Sequence, residues 1–390
     1  MSKQNPYCLM PWIHLHIGDH GMAKACCVAN IPFGNINEES FEEIWSGEAI
    51  NQLREKFAKG EKDKRCAQCY KLEEAGGKSI RQETFEKFPH IEIEKNASQL
   101  PIYFDIRFSN VCNFRCRTCW HGASSKWFSD AKTLGRNIGE KAIIQNVKDF
   151  NSFIEKTGKA LLSAEEIYFA GGEPLVTEEH YLLLNYLIEN DATQMRLRYN
   201  TNFSKLKFRE YNVIELWKNF PKVEILASID ATEELGGYIR KEFSWDLFLE
   251  NREKIRPFKN LSFKISPTIS ALNMHHLPVL YQTAIDLQLI DYQEIYFNIL
   301  ERPLYYNIKI FPKEKKEQIQ QIYDEFFIWM EKNKIPANVK IGFQECLDYM
   351  WAEDLSKHWG KFEKENGVLD ELRNETYFLN HLSDSKNTTE

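Results

Sequence analysis

Cys112-Asn113-Phe114-Arg115-Cys116-Arg117-Thr118-Cys119 carries the strongest chemical signal in the chain. It places three cysteines at the spacing C-x3-C-x2-C directly after the apolar run 102–108, a pattern that predicts a strand followed by a loop. Three thiolates this close can hold three corners of a cubane cluster, whereas a closed iron–sulfur site normally takes four. The loop therefore predicts a cluster with one open iron that can bind a substrate or cofactor. Chance proximity and a zinc knuckle lacking one ligand are the alternatives.

The composition limits the class of protein. The chain has 390 residues, 43% hydrophobic and 13% aromatic, which is enough for one large domain or two domains with a sizeable core. Its net charge is −7 with no basic block, so a general nucleic-acid binder is disfavoured. A run of about 18 apolar residues, which a membrane span requires, is absent, as is a signal-peptide core. We therefore expect a cytoplasmic protein whose cysteines bind metals or clusters before they form disulfides.

Residues 1–100 are predicted to form a small cysteine-rich α+β domain. The apolar alternation over 13–17, the turn at 18–21 and the run 22–26 predict a β-hairpin. A capping serine then precedes a helical pattern over 41–57.

The cysteines of this segment make a set of four thiolates. The hairpin returns Cys26 toward Cys8, and Cys66 and Cys69 form a C-x2-C pair, a common metal clip. Four thiolates close a site, which predicts an electron-transfer cluster or a structural metal, with zinc an equal alternative. Cys27 is the alternative to Cys26, since neighbouring residues on a strand point to opposite faces.

Residues 101–300 alternate short apolar runs with amphipathic stretches, which predicts βα repetition and a parallel sheet. The predicted strands are 102–108, 166–170, 195–199, 223–229, 261–269 and 294–299. Six units are too few for a closed eight-fold barrel, so we expect an open, partial (βα)6 TIM-like barrel. Functional residues in such sheets lie at the carboxyl ends of the strands.

Several polar or flexible residues follow these predicted strands. They are Gly171-Gly172-Glu173-Pro174 after the second strand, Asn200-Thr201-Asn202 after the third, and Ser228 and Asp230 at the end of the fourth. The two glycines permit close backbone approach to a ligand, and the glutamate can accept hydrogen bonds from an amine. Their position one βα unit after the cysteine loop favours a functional role.

Residues 301–390 are predicted to form a helical extension that ends in a polar tail. A helical stripe runs over 313–334, and the tail begins at Ser383. Cys346 stands alone and is interpreted as a small buried hydrophobe.

These motifs resemble those of radical S-adenosylmethionine (SAM) enzymes. The cysteine loop and the Gly-Gly-Glu-Pro turn resemble the two most specific signatures of that superfamily. The N-terminal cysteines, with Pro11-Trp12 and Phe41-Glu42-Glu43-Ile44-Trp45, resemble a SPASM or Twitch auxiliary-cluster domain. The similarity covers residues 6–300, and the auxiliary domain precedes the barrel, whereas in most relatives it follows.

The resemblance implies a role for each matching residue. Cys112, Cys116 and Cys119 would bind a 4Fe–4S cluster whose fourth iron chelates SAM, and the N-terminal four cysteines would bind a second cluster. Gly171, Gly172 and Glu173 would meet the SAM amine. Asn200, Asn202 and Ser228 lie where ribose or carboxylate contacts are made. Arg240 lies where a carboxylate-binding arginine often follows the fourth strand, with a solvated surface arginine as the alternative. No catalytic residue is identified.

The resemblance also implies the reaction class. We expect reductive cleavage of SAM to a 5′-deoxyadenosyl radical that abstracts a substrate hydrogen, with a reductant such as flavodoxin or ferredoxin. The substrate would be a peptide or a small molecule, and the second cluster would give net oxidation, cross-linking or dehydrogenation. Epimerisation is one alternative, and a non-enzymatic iron–sulfur or zinc scaffold or redox sensor is another.

Overall fold

The structure is a computed structural model that describes residues 7–74, 77–91 and 100–375. The tail predicted from Ser383 lies outside these residues. Within these ranges, no helix has both the length and the apolar character needed to cross a membrane.

Helices and strands alternate along the chain, with further short 3-10 turns between them. The α-helices are α1 (Met10–Ile13), α2 (Phe41–Trp45), α3 (Glu48–Ala58), α4 (Ala67–Glu74), α5 (Ile80–Lys87), α6 (Trp127–Thr133), α7 (Phe150–Leu162), α8 (Glu178–Glu189), α9 (Val213–Trp217), α10 (Glu233–Ile239), α11 (Trp245–Ile255), α12 (Leu277–Asp286), α13 (Lys313–Lys332), α14 (Ala337–Trp351) and α15 (Trp359–Arg373). The strands are β1 (His14–Gly18), β2 (Met22–Lys24), β3 (Pro32–Asn35), β4 (Tyr103–Ile106), β5 (Arg115–Cys116), β6 (Glu166–Phe169), β7 (Arg196–Thr201), β8 (Lys207–Phe208), β9 (Tyr211–Asn212), β10 (Lys222–Ala227), β11 (Arg240–Lys241), β12 (Leu261–Ile265), β13 (Thr268–Ile269) and β14 (Asn298–Ile299).

The chain divides into two compact units that each combine separate segments. The first contains Met1–Val111, Ile143–Asn200 and Lys207–Val223, and the second contains Cys112–Ala142, Thr201–Leu206 and Glu224–Glu390. The domains predicted from the sequence, 1–100, 101–300 and 301–390, are continuous segments and stay a prediction.

A mixed sheet with a parallel centre forms the first unit. Its strand order is β7-β6-β4-β1-β2-β3. The four strands from β7 to β1 are parallel, and β1, β2 and β3 pair antiparallel. The predicted hairpin is therefore present, and its first strand pairs with β4 of the segment after residue 100. The mixed α/β character with a large parallel sheet agrees with the expected fold class, while the partial barrel stays a prediction.

The apolar face of this sheet forms a core with α7 and α8. Phe104, Ile167, Phe169 and Leu197 are fully buried. The ring of Phe169 lies 4.8 Å from that of His180 in α8. Because side chains alternate between the faces of a strand, the residues between these positions point to the opposite face.

The helix predicted over 41–57 is two helices, α2 and α3. Ser40 caps the first with a capping box, as its sequence predicts. The chain breaks at Gly47, where a Cβ would lie 2.3 Å from the carbonyl oxygen of Glu43. Apolar residues continue at helical spacing on both sides of the break, so periodicity alone does not detect it.

The second unit contains the cysteine loop, β10 beside β12, and the C-terminal helices. Helix α13 matches the predicted helix over 313–334 and packs on α12, where Tyr281 and Phe326 make an edge-to-face contact at 6.0 Å. Cys346 in α14 is 1% exposed, as expected for a small buried hydrophobe.

Candidate functional site

Strand pairing and side-chain hydrogen bonds hold the cysteine loop in the second unit. Cys116 in β5 lies opposite Arg240 in β11. Its carbonyl oxygen accepts hydrogen bonds from Trp127 Nε1 at 2.6 Å and from the backbone N–H of Cys119 at 3.0 Å. The backbone N–H of Phe114 donates to Cys112 Sγ at 3.4 Å. The loop is therefore built to present sulfur atoms in a fixed arrangement.

The pKa values of the thiols in this loop suit a site in which cysteine thiolates bind a metal. Burial raises the pKa of the Cys116 thiol, and Arg240 counters part of that rise. Burial, followed by the nearby Cys116, raises the pKa of Cys119 to about 12. Without a cation these thiols stay protonated, whereas a coordinating metal deprotonates its thiol ligands.

The Gly-Gly-Glu-Pro turn packs on the backbone that leads into the cysteine loop. Gly172 N–H donates to Ser109 O at 3.2 Å, and Glu173 N–H donates to Val111 O at 2.7 Å. Gly171 has φ +114°, a value that favours glycine, and a Cβ there would lie 3.2 Å from Ser109 O. In the structure, both glycines therefore permit close approach of the turn to residues 107–111.

Gly172→Ala is expected to destabilise the protein. The added Cβ would lie 2.1 Å from Val111 O, a rigid backbone atom, so the turn must shift. We expect a loss of about 1–3 kcal/mol in the free energy of unfolding, measured by thermal and chemical denaturation. Gly367→Ala in α15 is the control because a Cβ there has no heavy atom within 4 Å. That control should gain about 0.5–1 kcal/mol, and equal effects of the two variants would contradict the packing role of Gly172.

Glu173 is 2% exposed, and its Oε1 accepts a hydrogen bond from the backbone N–H of Leu175 at 3.0 Å. This carboxylate therefore caps the 3-10 turn Pro174–Val176. Asn200 lies inside β7 rather than after it, and its Oδ1 is buried without a hydrogen-bond partner among the described residues. Such an atom suits a polar ligand.

Three predicted residues of the second unit, Asn202, Ser228 and Arg240, contact other residues of that unit. Asn202 Nδ2 donates to Asn113 Oδ1 at 2.9 Å, so it contacts the cysteine loop directly. Ser228 N–H donates to Thr201 O at 2.7 Å. Arg240 pairs with Asp230 and lies close to Cys116. The predicted contacts of these residues with SAM stay predictions.

The four predicted N-terminal cysteines come together in the first unit. Burial raises the pKa of Cys8 well above its usual range, and the charge of Cys26 adds to it, followed by Cys66 and Cys69. Burial also raises the pKa of Cys26 and of Cys66 to about 11. The four thiols are therefore close enough to influence one another's pKa, and their role as the ligands of one centre stays a prediction.

Hydrogen bonds to sulfur further suit this set to thiolate chemistry. The backbone N–H of Ala29 donates to Cys26 Sγ at 3.3 Å. Burial raises the pKa of the Cys69 thiol, and a hydrogen bond from the backbone of Arg81 offsets part of that rise. Among the described residues, no three Cys, His, Asp or Glu side chains form a group able to hold one metal ion. A cubane does not need such a group, because each thiolate binds its own iron.

Cys26 and Cys27 differ in their exposure to solvent. Cys26 is buried and interacts electrostatically with Cys66 and Cys69, whereas Cys27 is exposed. This placement favours Cys26 as the fourth thiolate. Strand β2 ends at Lys24, so strand alternation does not decide between the two cysteines, and the choice stays a prediction.

The sequence analysis missed a row of polar side chains across the sheet of the first unit. His16, Asp105, Tyr168 and Arg198 lie directly opposite one another on successive strands. Asp105 Oδ2 is 2.9 Å from His16 Nδ1 and 3.2 Å from Arg107 Nη2. Burial raises the pKa of Asp105, but Arg107 and His16 outweigh it, so its pKa lies below the usual range. The alternation of polar and apolar residues along β4 was the available signal.

The fold and the two cysteine groups define an α/β protein with candidate metal centres in each unit. Residues 8–70 match the family model of SPASM, an iron-sulfur cluster-binding domain. The predicted SPASM-like domain at the N-terminus is thereby confirmed. With the cysteine loop and the Gly-Gly-Glu-Pro turn, this match supports the resemblance to radical SAM enzymes that carry a SPASM domain and bind 4Fe–4S clusters and SAM.

Comparison with other proteins gives more distant similarities. No curated protein matches the chain. One similar solved structure is the crystal structure of Streptococcus suis SuiB bound to S-adenosylmethionine. Its sequence is 13% identical to this chain, the TM-score is 0.40, and the similarity covers 69% of this chain and 60% of the SuiB chain. For another crystal structure of Streptococcus suis SuiB, the sequence identity is 14% and the TM-score is 0.42. That similarity covers 82% of this chain and 70% of the SuiB chain. The chain thus spans less than two thirds of the length of the first of these.

Proposed function

We propose that this protein is a radical SAM enzyme with an N-terminal auxiliary iron–sulfur cluster. The observation that carries the proposal is the hydrogen bond from Glu173 N–H to Val111 O at 2.7 Å. It ties the Gly-Gly-Glu-Pro turn to the residue immediately before Cys112. The parallel pairing of β4 and β6 directs the segments that follow them to the same edge of the sheet. The turn therefore packs on the residues that lead into the cysteine loop, at the strand edge where such folds bind their ligands.

In this proposal, the chain supplies thiolates and an amine-binding turn, while the cofactors supply the radical chemistry. When bound by Cys112, Cys116 and Cys119, a 4Fe–4S cluster would offer an open iron to SAM and the electron that cleaves it to methionine and a 5′-deoxyadenosyl radical. Glu173 is expected to accept a hydrogen bond from the SAM amine. Asn200, Asn202 and Ser228 are expected to contact its ribose or carboxylate.

The N-terminal cysteines supply the second part of the proposal. Cys8, Cys26, Cys66 and Cys69 leave no open iron, so their cluster would exchange electrons without binding substrate. A cluster held by these four cysteines would supply a one-electron acceptor for a substrate radical, whose proton would pass to the protein or solvent. The net result is a two-electron oxidation, such as dehydrogenation or cross-linking, of a peptide or metabolite. A flavodoxin or ferredoxin would supply the electron that cleaves SAM.

The test of this function is reductive cleavage of SAM. Anaerobically reconstituted protein is incubated with dithionite and SAM, and 5′-deoxyadenosine and methionine are quantified by chromatography. The proposal predicts both products in equal amounts, dependent on reductant. Protein that contains clusters but forms neither product would favour a scaffold or redox sensor.

Glu173→Gln is expected to weaken SAM binding without unfolding the protein. The amide oxygen of Gln can still accept the hydrogen bond from Leu175 that Glu173 Oε1 accepts. The variant loses a charge-assisted hydrogen bond to the SAM ammonium, worth about 1.5–3 kcal/mol. We expect the Kd of SAM to rise at least tenfold, measured by equilibrium binding, with an unchanged melting temperature. Unchanged affinity would show that Glu173 acts only as the cap of its turn.

A further inference from the structure

Arg240 lies beside one sulfur atom of the cysteine loop. It begins β11 and lies directly opposite Cys116 of β5. Its Nη1 is 3.7 Å from Cys116 Sγ, within hydrogen-bond distance for sulfur. Both residues belong to the second unit.

Asp230 holds the rest of the guanidinium group. Arg240 Nε is 2.8 Å from Asp230 Oδ2, and Arg240 Nη2 donates to Asp230 Oδ1 at 2.9 Å. Asp230 is itself fully buried, and its Oδ1 also accepts from Thr268 N–H at 2.7 Å. These two contacts with Asp230 hold the guanidinium in place, with Nη1 directed at the sulfur.

The charge of Arg240 favours negative sulfur at this position. The guanidinium Nη1 lies 3.7 Å from Cys116 Sγ, so its positive charge stabilises negative charge on that sulfur. An iron–sulfur cluster gains one negative charge on one-electron reduction, and hydrogen bonds to its sulfur ligands are among the factors that set its potential. A donor held in this place therefore stabilises the reduced state more than the oxidised state.

We infer that Arg240, oriented by Asp230, is a positioning residue that raises the reduction potential of the cluster bound through Cys116. This inference rests on the proposed function, since it requires that cluster. It differs from the role in binding the SAM carboxylate that the sequence resemblance implies for Arg240. Two of the three guanidinium nitrogen atoms of Arg240 already contact the carboxylate of Asp230. The third, Nη1, is directed at Cys116 Sγ.

The test compares reduction potentials in the absence of SAM. Full-length wild-type, Arg240→Gln and Arg240→Lys proteins are reconstituted, and each cluster is titrated under EPR. Lys can keep the ion pair with buried Asp230 but lacks the fork that also reaches Cys116, so Arg240→Lys is the variant expected to retain the fold. We expect the SAM-responsive cluster to become at least tenfold harder to reduce in both variants, a shift of about −59 mV for a one-electron couple.

Lys241→Gln is the matched control. Lys241 is the other residue of β11, and its Nζ pairs with Glu375 at 2.8 Å rather than with a cysteine. The control removes one positive charge from the same strand and should leave the potential unchanged.

The outcomes separate the inference from the proposed function. An unchanged potential in Arg240→Lys, with weakened SAM binding, would overturn the inference in favour of a direct contact with SAM. An equal shift in Lys241→Gln would also overturn it, because the effect would then be nonspecific charge. A wild-type protein without any cluster signal would contradict the proposed function itself.

Discussion

Replacing Cys112, Cys116 and Cys119 together with Ala is expected to abolish 5′-deoxyadenosine formation. The three thiolates are the only protein ligands proposed for the SAM-binding cluster, so their loss removes both the electron source and the iron that holds SAM. Product should fall to the level of protein-free controls in a chromatographic assay with dithionite. Iron content should fall by about four per chain, as loss of one cubane requires.

Cys346→Ala is the control for this variant. Its thiol is 1% exposed in α14, and its pKa is raised to about 12, chiefly by burial. The control should retain cleavage of SAM with at most a small loss of stability. Product formation by the triple variant at the wild-type rate would remove the basis of the proposed function.

The double variant Cys66→Ala, Cys69→Ala is expected to lose the auxiliary cluster and keep the other. Two of its four ligands are gone, so this variant should contain about four irons where the wild type contains about eight. Cleavage of SAM without substrate should persist, because it depends on the cysteine loop of the second unit. Iron analysis, 5′-deoxyadenosine quantification and circular dichroism of the same preparation measure these effects.

Cys26→Ser and Cys27→Ser provide a matched pair for the same site. Cys26 is buried and interacts electrostatically with Cys66 and Cys69, whereas Cys27 is exposed, so Cys26→Ser should lose iron and Cys27→Ser should not. The reverse result would assign the ligand to Cys27. Loss of secondary structure in the double variant, with about one zinc per chain in the wild type, would instead indicate a structural metal.

The central strands were predictable because their apolar runs are short and bounded by turn residues. The runs 102–108, 166–170 and 195–199 correspond to β4, β6 and β7, with ends that agree within two residues. The later strands were less accurate. The run 261–269 contains two short strands, β12 and β13, and only the end of 294–299 is the strand β14.

Helix α15 was missed because it buries polar residues as well as apolar ones. Asn366 and Asp370 are nearly inaccessible, and both are hydrogen-bonded to Arg117 of the cysteine loop. A buried face that is partly polar breaks the apolar periodicity on which helix prediction depends. Arg117 lies far from α15 in the sequence, so no local sequence pattern reveals these contacts.

The candidate site was predictable where its chemistry depends on local spacing. The cysteine sets and the Gly-Gly-Glu-Pro turn are readable as motifs, whereas the choice of Cys26 over Cys27 stays a prediction. The contact of Arg240 with Cys116 was not predictable, since it depends on the pairing of β11 with β5 across more than a hundred residues. The same holds for the row of polar side chains that includes Asp105, because strand register is set by the whole sheet.

EPR spectroscopy of the reduced protein, with and without SAM, tests the central claim most directly. The proposal gives the protein two clusters, of which only the one on Cys112, Cys116 and Cys119 has an open iron. We therefore predict two reduced-cluster signals, of which one changes on addition of SAM and is missing from the triple variant. A spectrum that SAM leaves unchanged, in protein with its full complement of iron, would contradict the proposal that this protein is a radical SAM enzyme.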